Sequence, residues 1–169
     1  YSAFMDMHMV ASFNLDADFT AIKSHAFENC KSSSFTEISL PNTISSIEEY
    51  AFKNCYHLSD VEYNSNNKLT KISEGTFYNC YNLSTAEILP SIRTIEDYAF
   101  YNCIALTTAV VHKDVTELGY AAFGGCVGLT SIELPFVGGI PYDAYKAIVE
   151  DTTKTTEEKT IAKKKTLYG

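Results

Sequence analysis

One short word, repeated at near-constant spacing, limits what this chain can fold into. Phenylalanine followed three residues later by cysteine occurs as AFENC, AFKNC, TFYNC, AFYNC and AFGGC, ending at Cys30, Cys55, Cys80, Cys103 and Cys126. The intervals between these cysteines are 25, 25, 23 and 23 residues. Repetition at such a period is the mark of an array in which no unit can bury its apolar side alone and each relies on its neighbours.

The word is part of a longer template. Eight residues before each phenylalanine stand Phe19, Ile44, Leu69, Ile92 and Val115, and five before stand Ile22, Ile47, Ile72, Ile95 and Leu118. Apolar positions recur six, nine and eleven residues after it, as in Leu58, Val61 and Tyr63, or Leu106, Ala109 and Val111. Two degenerate copies fit the same frame. Upstream, Ala3-Phe4 leads to Met7 in the cysteine slot; downstream, Val137 and Ile140 precede Ala144-Tyr145, with Ile148 in that slot. The template predicts about seven coils of 23–25 residues, spanning residues 1–148.

Each unit reads as a short strand and a return. In Leu58-Ser-Asp-Val61-Glu-Tyr63 the alternation is that of a strand with one face buried and one exposed. Turn residues follow, such as Pro41-Asn42 and Pro90-Ser91. The Ile-x-x-x-Ala-Phe-x-x-Cys segment spaces its apolar residues three to five apart, which predicts a short helix or 3₁₀ turn. Stacked in phase, the strands form a parallel sheet at about 4.8 Å per coil. The chain resembles the BspA-like leucine-rich-repeat family, on words such as Ile47-Glu-Glu-Tyr-Ala-Phe-Lys-Asn-Cys55 and Leu129-Thr-Ser-Ile-Glu-Leu-Pro135. Departures are Met7 and Ile148 for cysteine, Thr76 for alanine and Gly125 for asparagine. The resemblance implies an α/β leucine-rich-repeat solenoid, right-handed, with parallel strands on the concave side and helical or 3₁₀ returns. It also implies a macromolecule-binding protein of bacterial surfaces or microbial eukaryotes, and no catalytic residues.

The residue types exclude several functions. Net charge is -8, which argues against a nucleic-acid surface or a binder of anionic membranes. No apolar run of 18 residues is present, so no membrane-inserting helix is expected. From the start without Met or signal peptide, a mature or trimmed fragment is expected. Nucleophile-elbow, phosphate-loop and zinc-protease patterns do not occur, so an enzyme is not expected and no cofactor is implied. The cysteines lie one coil apart, too far in sequence for a Cys-x2-4-Cys metal site, and are expected to be buried reduced thiols. Histidines occupy four different phases of the repeat and do not converge. Asn29, Asn54, Asn79 and Asn102 are expected to form a structural ladder that satisfies turn backbone groups.

Two candidate binding faces remain. Exposed strand positions align Ser39, Glu62, Glu87 and Glu133 in one row and Asp60, Thr85 and Thr108 in the next, a hydroxyl and carboxylate surface on the expected concave side. It is either a solvated face or a site for a protein or glycan ligand. Tyr50, Tyr56, Tyr78, Tyr81, Tyr98 and Tyr101 flank the AFxNC words and offer a second patch, either half-buried packing or a recognition surface. Residues 149–169 change to Thr, Lys and Glu and are expected to cap the last coil or link onward. The sequence thus predicts a binding module of an adhesin-type protein, on the cell surface or secreted. The alternatives are a cytoplasmic scaffold for partner proteins and a spacer within a larger surface protein.

Overall fold

The computed structural model describes residues 3–7, 13, 15–63, 68–137 and 140–141. Each coil supplies two short strands rather than one. The strands anticipated from the alternating segments are β2 (Glu37–Leu40), β4 (Asp60–Tyr63), β6 (Thr85–Ala86), β8 (Thr108–Val110) and β10 (Ser131–Glu133). Between them run β1 (Ala21–Ile22), β3 (Ser46–Ile47), β5 (Lys71–Ile72), β7 (Thr94–Ile95) and β9 (Glu117–Leu118). Both sets stack in parallel, β2 on β4 and β6-β8-β10 in one ladder, β1 on β3 and β5-β7-β9 in the other. Each ladder is interrupted once, at the coil that carries residues 64–67. There the single bonds Lys68 N to Ile44 O (3.0 Å) and Ser84 N to Ser59 O (3.2 Å) still join successive coils. An antiparallel pair, β11 (Phe136–Val137) and β12 (Ile140–Pro141), follows.

The expected helical returns are absent among the described residues. The segment from Lys23 to Cys30 is a chain of turns closed by Ala26 N to Lys23 O, Glu28 N to His25 O and Cys30 N to Phe27 O. The intervening donors leave the coil: His25, Phe27 and Asn29 give their N–H groups to the carbonyls of Glu49, Ala51 and Lys53 in the next one. The same three bonds recur at every step up to Tyr98, Phe100 and Asn102. A helix would close these N–H groups within its own segment, so none of them would join neighbouring coils. The alternation also forces the left-handed region twice per turn chain, at His25 (φ 58°) and Asn29 (φ 61°), and likewise at Tyr50 and Asn54, Gly75 and Asn79, Tyr98 and Asn102. A positive φ at the third turn residue is the type II requirement, which asparagine and glycine meet at least strain.

The core is a set of columns. Phe4, Phe27, Phe52, Phe77, Phe100 and Phe123 stack ring on ring, with centroids 5.1–5.6 Å apart. Columns of Ile44, Leu69, Ile92 and Val115 and of Leu58, Leu83 and Leu106 are buried beside it. Apolar slots open only where the described columns end: Phe19 is 43% exposed in the first full coil and Ile132 40% in the last. About five turns are described, rather than the seven expected. Residues 3–7 continue the turn ladder below them, with Phe4 N on Ala26 O and Asp6 N on Glu28 O. Most of the downstream copy, including Tyr145 and Ile148, lies outside the described residues, as do positions 142–169.

Candidate binding surfaces

The alternating strands expose the positions the pattern assigned. Ser39, Asp60, Glu62, Thr85, Glu87, Thr108 and Glu133 all face solvent, as do Glu37 and Ser131. Parallel register sets Glu37 beside Asp60, Ser39 beside Glu62, and Thr85, Thr108 and Ser131 in one row. The Ser39 hydroxyl donates to Glu62 at 2.5 Å. Ser39, Asp60, Glu62 and Glu87 border one open depression, floored by Leu40, Val61 and Tyr63. A second, bordered by Thr85, Glu87, Thr108, Val110 and His112, lies along the next coils. Val110, in the carboxylate row, is apolar and 55% exposed.

The six tyrosines fall into three sets of ring contacts. Tyr56 and Tyr81 stack at 4.8 Å, with the Lys31 ammonium 5.5 Å from the Tyr56 ring. Tyr50 stacks on His25, carries the Lys53 ammonium 5.3 Å from its ring and donates its hydroxyl to Glu74. That bond and partial burial push the Tyr50 phenol up to about 12. Tyr78, Tyr98 and Tyr101 form a third group, joined by Tyr120, whose ring is 5.6 Å from Tyr98. Tyr120 escaped the sequence reading because it stands three residues before Phe123, in the slot that Glu49, Glu74 and Asp97 hold in earlier coils.

The odd-numbered ladder β1–β9 carries a second polar surface. Lys23 pairs with Glu48 at 2.6 Å and Lys71 with Glu96 at 2.7 Å. The Lys23 bond holds the Glu48 carboxyl below its ordinary range, and the Ser24 hydroxyl does the same for Glu49. At the far end Glu74, Glu96, Asp97 and Glu117 line one open hollow with Thr94, Thr116 and Gly119. The sequence signal was available: the slots six, four and three residues before each phenylalanine are mainly charged or hydroxylic.

The remaining candidates are structural. All five cysteines are free and buried. Each thiol donates to the carbonyl of the preceding coil's phenylalanine, as Cys55 to Phe27 at 3.1 Å and Cys80 to Phe52 at 3.2 Å. Burial pushes the Cys55, Cys80 and Cys103 thiols up, so they remain protonated donors. The asparagines bond to one another rather than to turn backbone, Asn54 to Asn29 at 2.7 Å, Asn79 to Asn54 at 2.9 Å and Asn102 to Asn79 at 3.0 Å. Among the described residues no group of His, Cys, Asp or Glu is placed to hold a metal, and no helix is long and apolar enough to cross a membrane.

These ladders define a parallel-strand β-solenoid with two polar strand faces and a phenylalanine core. Residues 1–130 match six copies of the BspA-type leucine-rich-repeat model, and the chain belongs to that family. It is similar to a leucine-rich cell-surface protein of Faecalibacterium prausnitzii, 30% identical over 76% of this chain, with a TM-score of 0.69. A leucine-rich repeat protein of T. pallidum is 29% identical over 69% of the chain, with a TM-score of 0.63. One from Bacteroides ovatus is 26% identical over 80%, with a TM-score of 0.64. The chain spans 33%, 52% and 35% of those structures in turn. No curated protein matches the sequence.

Proposed function

We propose that the chain is a non-catalytic binding module of an adhesin-type protein, on the cell surface or secreted, and that it takes a protein or glycan ligand on the β2–β10 ladder. One observation carries this reading: exposed hydroxyls and carboxylates, held in register within β2–β4 and within β6–β8–β10, border open depressions from Ser39 to Thr108. Rigid strands hold these groups in fixed positions, which lowers the ordering entropy lost on binding. The core columns stabilise the array without using any of them. The description of the F. prausnitzii relative as a cell-surface protein supports the location. Glycan arrays and panels of immobilised extracellular proteins, probed with the purified chain, test the reading. Saturable binding to a defined ligand supports it. Silence on both favours a spacer, and binding confined to intracellular partners favours a scaffold.

A further inference from the structure

The array is continuous along its turn ladder and divided along both strand ladders. On the turn side, the coil of Phe52 joins the coil of Phe77 by the three bonds found at every step: Tyr50 N to Glu74 O, Phe52 N to Thr76 O and Asn54 N to Tyr78 O, at 2.8–2.9 Å. The asparagine and thiol ladders cross there too, Asn79 to Asn54 and Cys80 to the Phe52 carbonyl. On the strand sides β3 does not pair with β5, nor β4 with β6, although every residue of these strands is described. Elsewhere the residue four before the phenylalanine gives its backbone N–H to an isoleucine carbonyl of the preceding coil: Glu48 to Ile22 at 2.9 Å, Glu96 to Ile72 at 2.9 Å and Gly119 to Ile95 at 2.7 Å. At this junction Ile47 O receives the buried Ser73 hydroxyl instead, at 2.5 Å. Thr76, which replaces alanine in the template, donates its own hydroxyl to Ser73 O at 2.8 Å. The phenylalanine column is also widest here, 5.6 Å from Phe52 to Phe77 against 5.1–5.3 Å at the other steps. A small cavity lies between Ile47 and Tyr63 of one coil and Leu69, Ile72 and Leu89 beyond it. Its lining forfeits dispersion contacts that the other steps keep.

We propose that this junction is a hinge: the coils of β1–β4 and the coils of β5–β10 move as two bodies about the turn ladder, and their two strand sides part and close together. Rotation about the turn ladder is resisted most by bonds far from it, and those are the bonds this step lacks. The three turn bonds keep the bodies joined while few elements have to change, as in hinge motions generally. On the even-numbered side the junction falls between Glu62 and Glu87, which border the same depression, so the motion changes its width. That consequence rests on the β2–β10 reading; the hinge does not, and the experiment reads the hinge alone.

Amide hydrogen exchange of the full chain, followed by NMR, tests the motion. The Lys68 and Ser84 amides carry the single strand-side bonds across the junction, and Arg93 and Ala105 carry bonds between later coils. Lys68 and Ser84 are expected to exchange at least about ten-fold faster than Arg93 and Ala105, while Tyr50, Phe52 and Asn54 stay as protected as Phe77. A variant with Ser46→Cys and Lys71→Cys places a thiol pair across the odd-numbered side. Thr94→Cys with Glu117→Cys gives the matching pair inside one body, in β7–β9 register. Glutathione disulfide is expected to oxidise both pairs, each new disulfide releasing two glutathione thiols. Because one motion opens both sides, the cross-junction disulfide is expected to slow Ser84 exchange about ten-fold against the reduced form of the same variant; the control disulfide is expected to leave it unchanged. Lys68 and Ser84 as protected as Arg93 and Ala105 in the unaltered chain would overturn the hinge. So would a cross-junction pair that stays reduced while the control pair oxidises, which reports a fixed gap. Unchanged Ser84 exchange after cross-linking would make the two gaps independent, and fast exchange at Tyr50, Phe52 and Asn54 would remove the axis; either result overturns the proposal.

Discussion

At the scale of single residues, the cysteine slot shows how a correct position can carry an unanticipated role. Phase alone assigned Cys80 to the core, and it is fully buried. That its thiol donates to the Phe52 carbonyl was not legible, because the acceptor lies 28 residues away on another coil. The bond alters what substitution should do. Cys80→Ser keeps a donor, whereas Cys80→Ala loses the bond and leaves a small void, so the alanine variant is expected to lose more stability. Losses of about 1 kcal/mol for serine and about 2 kcal/mol for alanine are expected in urea unfolding. Slow labelling of all five native thiols by a thiol reagent is the companion expectation. Glu28 gives a prediction with pH. Burial alone would raise its carboxyl, but Lys53 and His25 outweigh it and hold it below the ordinary 4.5. A lowered folded-state value stabilises the fold above the unfolded value, and that stability is lost as pH falls through the folded value. Glu28→Gln should therefore flatten the acid side of a melting-temperature profile below about pH 4.5.

At the scale of elements, the even-numbered strands were legible because Leu-x-x-Val-x-Tyr alternation has one physical solution when a core lies on one side. The return was not. Ile, Ala-Phe and Cys at spacings of three to five fit a helical stripe as well as a turn chain, and the difference is decided by carbonyls that a neighbouring coil supplies. The left-handed positions are the clue the pattern held, since Asn29, Asn54, Asn79 and Asn102 suit that conformation. The asparagine ladder was read correctly in kind but not in its partners. Gly75 tests the turn account: its φ is +54°, and a Cβ there would stand 2.2 Å from the Tyr50 ring. Gly75→Ala is expected to lower stability by more than about 1 kcal/mol, measured by thermal or denaturant unfolding.

At the scale of the whole molecule, the acidic balance belongs to the solenoid. Residues 150–169 carry five Lys against three Glu and one Asp, so a chain total of -8 leaves -9 for the rest. Much of this charge stands on two strand faces, one anticipated from the sequence and one not, because assigning the second strand ladder to a return left its polar slots without an orientation. A core of stacked identical side chains tolerates change on both faces, which is how a repeat array separates stability from recognition. The account stands or falls on that separation. Its most direct test replaces Asp60, Glu62 and Glu87 together with Ala, then measures melting temperature and affinity for the ligand found in the binding screens. The account predicts an almost unchanged melting temperature and at least about ten-fold weaker binding. Unchanged affinity in the folded variant would contradict it.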